Sequence, residues 1–168
     1  KRIHPMKGDV GILGAYFDDN GVNMAHDEWT APMSNTTKAL FDIVRDEAPN
    51  MYIDIHSCGN GPVFLPTSYI PMTVKKRLEE FKSIYRERLM EHNYTMKNTN
   101  MMTIDGEEGH REPAFNLVSM LYHTGADLPF VFENPHGCIE YTPYSYEDIL
   151  KIDHILIETA VDFLLGQA

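Results

Sequence analysis

The chain has 168 residues, a length that suits a single domain with a sizeable hydrophobic core. Hydrophobic residues make up 43% of the chain and aromatic residues 11%, which argues against an intrinsically disordered protein. The 25 acidic and 14 basic side chains give a formal net charge of -11, which argues against nucleic-acid backbones and anionic membranes as partners. No apolar run approaches the roughly 20 residues of a membrane span.

Predicted helices and strands alternate along the chain. Helices are predicted at 34–48, 72–93, 113–123 and 145–165, and strands at 10–12, 51–56, 63–66 and 128–132. This alternation predicts an α/β sheet that helices cover on both faces. No repeat, low-complexity tract or linker divides the chain, so residues 1–168 are expected to belong to one domain.

Two apolar strands are predicted to end in polar, chemically useful side chains. The first runs from Met51 into Asp54 and His56 and breaks at a Gly-rich loop, and the second runs from Leu128 to Glu133. Ligands and catalytic groups of α/β sheets lie just outside the carboxyl ends of the strands. We therefore expect these two strand ends to lie side by side and to form the functional site.

His56 and Glu133 suit metal-assisted hydrolysis. A neutral histidine can bind zinc through one ring nitrogen while an acceptor orients the other. A carboxylate near a metal-activated water can serve as general base and then as general acid. The alternatives are structural: His56 held by backbone hydrogen bonds, and Glu133 acting as a helix cap or a salt-bridge partner.

Four segments carry a resemblance to a known family. They are Gly21-Val-Asn-Met-Ala-His-Asp27 with Trp29 and Pro32, the helix with Thr37-Lys-Ala-Leu40, the strand Ile53-Asp-Ile-His-Ser57, and the strand Phe130-Val-Phe-Glu133. In this order they resemble the zinc carboxypeptidase family, the carboxypeptidase A-like metallopeptidases. The resemblance implies a three-layer α/β/α domain around a mostly parallel mixed sheet.

The resemblance also implies roles for individual residues. His56 corresponds to the third zinc ligand, Glu133 to the glutamate that activates the zinc-bound water, and the loop 105–112 to a flexible loop that closes over the substrate. The expected cofactor is one Zn2+ per complete domain. The expected substrate is a peptide or an N-acyl amino acid, and a secreted or periplasmic location is favoured.

The chain departs from the family pattern in two places. The family's first two zinc ligands lie on an upstream His-x-x-Glu motif that the chain lacks, so it resembles the C-terminal part of a catalytic domain. We expect a missing N-terminal segment or self-association to complete it. His26 stands where the family has an arginine that grips the substrate carboxylate, and Arg111 or Arg2 could replace that arginine. His136, after the second strand, is a further candidate substrate-binding residue.

These departures leave alternatives to a carboxypeptidase-type hydrolase. One is a zinc-dependent amidase or deacylase that acts on small N-acyl substrates. Another is a non-catalytic fragment that lacks the full metal site. Cys58 and Cys138 follow the two strand ends, and the sequence leaves open whether they form a disulfide or remain two thiols.

Overall fold

The fold is mixed α/β. A computed structural model describes residues 16–59, 61–102, 115–135 and 144–166. The helices of this part of the chain are α1 (Asn35–Glu47), α2 (Met72–Glu91), α3 (Leu117–Thr124) and α4 (Tyr146–Leu164), and the strands are β1 (Tyr52–Cys58), β2 (Val63–Leu65) and β3 (Pro129–Pro135). A short 3-10 helix covers Met24–His26. None of the described helices is long and apolar enough to cross a membrane. The strand predicted at 10–12 lies outside the described residues.

The three strands form one mixed sheet with β3 in the centre. β1 pairs with β3 in parallel, and β2 pairs with β3 antiparallel. The mixed sheet and the four helices agree with the predicted α/β class. The parallel pairing of β1 and β3 also brings their carboxyl ends to the same edge of the sheet, as expected for the two strands that carry the candidate site.

Serine caps begin the first and last of these helices. The Ser34 side chain accepts the backbone N–H groups of Thr36 and Thr37 at the start of α1. Ser145 and Asp148 form a reciprocal capping box at the start of α4, and the backbone N–H of Ser145 holds the pKa of Asp148 below its ordinary value. Both helix starts are predicted from sequence and confirmed.

The predicted start of α3 was wrong. The sequence predicts Pro113 in the first turn, whereas the helix begins at Leu117, and Phe115 and Asn116 precede it in non-helical conformation. Asn116 is the N-cap, and its side chain accepts the Ser119 backbone N–H at 3.1 Å. This local capping bond sets the start of the helix, and Pro113 itself lies outside the described residues.

The predicted end of α3 at Gly125 is confirmed. Gly125 has a φ of 150°, in the region that favours glycine, and a Cβ there would lie 3.1 Å from the carbonyl oxygen of Val44. A larger residue would therefore separate α3 from α1.

Two hydrophobic clusters hold the helices to the sheet. In the first, α2 and α4 pack against Phe64, Phe130 and Phe132, and the rings of Phe64 and Phe130 stack at 4.8 Å between centroids. The second cluster joins α1 to α3, and Tyr52 of β1 packs against it. Because side chains alternate along a strand, Tyr52 and the two β3 phenylalanines lie on opposite faces of the sheet.

A buried lysine fixes the segment that follows α2. Lys82 is 1% exposed, and its Nζ lies 2.7 Å from a carboxylate oxygen of Glu79 and donates to the carbonyl oxygen of Thr99. The Thr99 hydroxyl donates to the carbonyl oxygen of Phe64 in β2 at 2.6 Å. These bonds hold the segment alongside the outer edge of β2.

A second buried polar pair joins β3 to α4. Asn134 is 5% exposed, and its side-chain N–H donates to Asp153 at 2.7 Å. Burial raises the pKa of Asp153 above its ordinary value, although this hydrogen bond opposes the shift. Within the described residues, the Oδ1 atoms of both side chains are buried without a hydrogen-bond partner. The pair is therefore incompletely satisfied at the end of the central strand.

Candidate functional site

The register of β1 and β3 places His56 directly beside Glu133. The Cα partners run in order from Tyr52 opposite Pro129, and His56 is opposite Glu133. Both residues are in phase with Asp54 and lie on the face of the sheet opposite the large phenylalanine cluster. The expectation that the two strand ends lie side by side is confirmed.

Three of the six candidate site residues line one cavity. It has a volume of about 170 Å3, and its lining includes His26, His56 and Glu133 together with Asp54. Arg2, Arg111 and His136 lie outside the described residues, as do the loop 105–112 and Cys138, so their roles stay predictions. The cavity thus gathers histidines and carboxylates from both strand ends and from the 3-10 helix.

The His56 ring is held in place by two neighbours. Its Nε2 lies 3.0 Å from Oδ2 of Asp54, two residues earlier on the same strand face. The Tyr16 ring lies 5.2 Å away between centroids, tilted by 36°. When Nε2 carries the proton that Asp54 accepts, Nδ1 keeps the lone pair that a metal ion requires. This pairing matches the carboxylate–histidine arrangement that orients metal ligands.

The surroundings of Asp54 shield it from solvent. The Asp54 side chain is 23% exposed and the His56 side chain 21%. Burial raises the pKa of the Tyr52 phenol, and the negative charge of Asp54 raises it further. Tyr52 therefore keeps its proton at neutral pH.

Glu133 is fixed by the backbone on both sides of the central strand. It pairs with His56 in β1 and with Val63 in β2. Gly61, in the loop after β1, lies so close that a Cβ there would stand 2.5 Å from the Glu133 carbonyl oxygen. The backbone position of Glu133 is therefore set by main-chain packing.

The described residues do not by themselves contain a complete metal site. No group of three or more histidine, cysteine, aspartate or glutamate side chains converges on one point among them. His56 has the donor type and the bracing carboxylate of a zinc ligand, and Glu133 is placed as a carboxylate beside it. A tetrahedral zinc would need further ligands in addition to His56.

His26 extends from the 3-10 helix to the mouth of the cavity. The side chain of Asn23 caps this helix by accepting the Ala25 N–H at 3.1 Å. Asp27, which is 2% exposed, accepts three backbone N–H groups, one of them from Ser34 at 2.9 Å. These bonds fix the loop after His26, so the exposed imidazole projects from a supported backbone.

Several lining residues were not predicted. They are Tyr16, Ala25, Leu65, Asn116, Leu117, Val118 and Val131. Val131 could have been found, because it lies two residues before Glu133 and therefore on the same face. Leu65 reaches the cavity through its pairing opposite Val131, and Tyr16 comes from a distant segment. No short-range pattern in the sequence reveals these last two.

Comparisons of the chain with protein-family models, with curated proteins and with solved structures found no match. The function must therefore be inferred from the chemistry of the cavity.

Proposed function

We propose that this protein is a zinc-dependent hydrolase of peptide bonds of the carboxypeptidase type. The observation that carries the proposal is the placement of His56 beside Glu133 on adjacent parallel strands, with both side chains lining one cavity. In this proposal His56 is a zinc ligand braced by Asp54, and Glu133 is the general base.

The protein's own groups then have defined tasks. A zinc ion held by His56 and further ligands would supply a Lewis acid that polarises the substrate carbonyl. Glu133 accepts a proton as the water oxygen bonds to the carbonyl carbon, and donates a proton to the amine nitrogen as the C–N bond breaks. Asp54 keeps the His56 ring in one orientation and one tautomer.

The finer fold assignment belongs to the same proposal. We propose the three-layer arrangement of the zinc carboxypeptidases, with the chain forming the C-terminal part of such a catalytic domain. It is supported by the two hydrophobic clusters, which involve opposite faces of the sheet and different pairs of helices. The remaining zinc ligands would then come from outside the described residues.

A related amidase or deacylase is the second candidate function. None of the described residues that line the cavity is a lysine or an arginine. A carboxypeptidase needs a cation for the terminal carboxylate of its substrate, and a neutral histidine at position 26 cannot replace a bidentate arginine. Parallel assays on N-acyl dipeptides with free and with amidated carboxyl ends distinguish the two activities. Preference for the free acid favours the carboxypeptidase, and equal rates favour the amidase.

Zinc content tests the metal assignment. The longest natural form of the protein is loaded with zinc, dialysed and measured by elemental analysis, alongside the 168-residue chain and the His56→Ala and Glu133→Gln variants of the longest form. We expect near-stoichiometric zinc in the wild type, a loss in His56→Ala, and retention in Glu133→Gln with loss of hydrolysis. His154→Ala is the matched control, because His154 is 63% exposed on α4.

The zinc and hydrolysis measurements test the ligand role of His56, the presence of a metal and the catalytic role of Glu133 separately. Equal zinc in His56→Ala and in the wild type would remove His56 from the ligand set. A longest natural form without zinc would refute the metalloenzyme and leave a binding or structural domain. Zinc without hydrolysis of any amide would keep the metal site and refute the catalytic role of Glu133.

A further inference from the structure

A buried polar pair lies behind the candidate general base. Asn134 follows Glu133 in β3, and because side chains alternate along a strand, the two side chains point to opposite faces of the sheet. The Asn134 side chain donates an N–H to Oδ2 of Asp153 in α4 at 2.7 Å. Asn134 is 5% exposed, so this bond lies in the interior of the protein. The pair therefore ties the residue next to Glu133 to a helix on the other side of the sheet.

Each member of this pair has one buried oxygen without a hydrogen-bond donor. Within the described residues, Oδ1 of Asn134 and Oδ1 of Asp153 are both buried and accept no hydrogen bond. A buried acceptor without a partner lowers the stability of the folded state, and most such groups in proteins are satisfied. The two groups are already joined by one bond, so a single proton between their free oxygens would satisfy both.

Protonation of Asp153 supplies this missing donor. A carboxylic acid carries one O–H, and an acid and an amide that share one N–H···O bond can form an O–H···O bond beside it. Burial raises the pKa of Asp153, although the bond from Asn134 opposes the shift, so the carboxyl group binds a proton more readily than an ordinary aspartate does. The pair thus has two states, joined by one bond when Asp153 is charged and by two when it is neutral.

The nearest titratable group of α2 does not act as this donor. Burial raises the pKa of the Tyr85 phenol, and the negative charge of Asp153 raises it further, so the two groups are close enough to interact. The Tyr85 hydroxyl donates to the carbonyl oxygen of Ile152 at 3.2 Å. Its proton is therefore committed to the backbone of α4.

Charged side chains on the neighbouring elements are bonded elsewhere. Arg88 of α2 lies 2.7 Å from Asp162 of α4, and His154 lies 3.0 Å from Glu158 on α4 itself. Glu133 of β3 lies on the opposite face of the sheet. Among the described residues, no cationic side chain forms an ion pair with the carboxylate of the buried pair. A proton is therefore the change that neutralises it.

We propose that Asp153 is a positioning residue for Glu133, which acts by holding Asn134 and holds it more firmly when Asp153 is protonated. The effect reaches Glu133 across one peptide bond, because Glu133 and Asn134 are neighbours in β3. Gly61 packs against the same backbone, since a Cβ there would lie 2.6 Å from the carbonyl carbon of Asn134. The end of β3 is thus held both by the Gly61 loop and by α4. The role of Glu133 rests on the proposed function, but closing of the pair does not require catalysis.

Substitutions of Asp153 test the positioning role in the hydrolysis of N-acyl dipeptides by the longest natural form. Asp153→Ala removes the hold on Asn134, and we expect kcat to fall by up to about 100-fold with little change in KM, the loss that follows a misplacement of about 1 Å. Asp153→Asn should restore at least the wild-type kcat, because its amide can both accept from and donate to Asn134.

Asp162→Ala is the matched control for these variants. It also removes a carboxylate of α4 that is bonded to another element, Arg88 of α2, but one that does not contact β3 through Asn134. Its kcat should stay unchanged. Equal losses of kcat in Asp153→Ala and Asp162→Ala would overturn the positioning role.

The pH profile tests the role of the proton. The ratio of kcat in the wild type to kcat in Asp153→Asn removes the ionisations that both proteins share. This ratio should fall as pH rises from the ordinary aspartate pKa through the pKa of Asp153 in the folded state, because ionisation removes the second bond, and should stay constant above that window. A ratio that does not change with pH would overturn the proposal, even if Asp153→Ala fails to fold.

NMR spectroscopy separates this inference from the proposed function. In isotope-labelled protein, the side-chain amide resonances of Asn134 are assigned by their absence in Asn134→Leu. They should shift with pH in the same window in the wild type and stay fixed in Asp153→Asn. This shift in a protein that hydrolyses no amide would refute the proposed function and keep the proton-sensitive pair. Hydrolysis with a constant kcat ratio and no shift would keep the function and refute the inference.

Discussion

Gly61 offers a direct test of how the candidate site is held. A Cβ at this position would stand 2.5 Å from the carbonyl oxygen of Glu133, 2.6 Å from the carbonyl carbon of Asn134 and 2.7 Å from the nitrogen of Pro135. Ordinary contacts begin at 3.4 Å, so Gly61→Ala forces a separation of up to about 1 Å. All three atoms are backbone, so no side-chain rotation relieves the clash. We expect a destabilisation of about 1–3 kcal/mol by overpacking.

Urea unfolding measures this loss, with Gly166→Ala as the matched control. A Cβ at Gly166 would meet no atom within 4 Å, although its φ of 67° adds local strain at the end of α4. In the hydrolysis assay, Gly61→Ala should lower the rate about 100-fold, because a shift of about 1 Å misplaces the Glu133 carboxylate. Gly166→Ala should leave the rate unchanged. If Gly61→Ala unfolds and hydrolyses substrate as the wild type does, the loop that contains Gly61 does not lie against β3.

Three further changes test polar groups of the fold and of the candidate site. Lys82→Met should lower the free energy of unfolding by about 2–3 kcal/mol, measured by urea unfolding. The loss should be smaller than for breaking a fully buried ion pair, because Glu79 stays partly solvated. The double variant Lys82→Met/Glu79→Met should recover part of this loss. Asp153→Asn should stabilise the protein by about 1 kcal/mol at pH 7, because its amide can donate to the unsatisfied Asn134 oxygen. Because the pKa of Asp153 is raised in the folded protein, the stability of the wild type falls as pH rises from the ordinary aspartate pKa through the pKa in the folded state. The stability gained by Asp153→Asn should therefore shrink at pH values below this window. A gain that does not change with pH would contradict this linkage. Asp54→Asn should weaken zinc binding by about 10- to 100-fold in titration calorimetry, and an unchanged affinity would refute its bracing role.

Local signals in the sequence predicted the elements of the fold well. Ser34 and Ser145 mark helix starts because their hydroxyls satisfy backbone N–H groups within three residues, a short-range effect. The same physics explains the error at α3. Pro113 is compatible with a first turn, but the capping bond from Asn116 decides where the helix begins. When two start signals compete, the one that makes a hydrogen bond prevails.

The neighbourhood of the site could be predicted only in part. Two apolar runs that end in polar residues predict that β1 and β3 lie side by side. These runs do not predict the register in which the two strands pair. It is set by the packing of Phe130 and Phe132 against α2 and α4, an interaction between segments far apart in sequence. The same limit applies to Tyr16, whose ring reaches His56 across about forty intervening residues.

The charges of the cavity at the candidate site give an independent reason to expect a cation there. Asp54 and Glu133 both line it, and none of the described lining residues is a lysine or an arginine. Among the described lining residues, only the two histidines can carry a positive charge. A divalent cation bound by His56 would offset the negative charges of both Asp54 and Glu133. If His56 were purely structural and paired with Asp54, the carboxylate of Glu133 would have no counter-charge among the described lining residues.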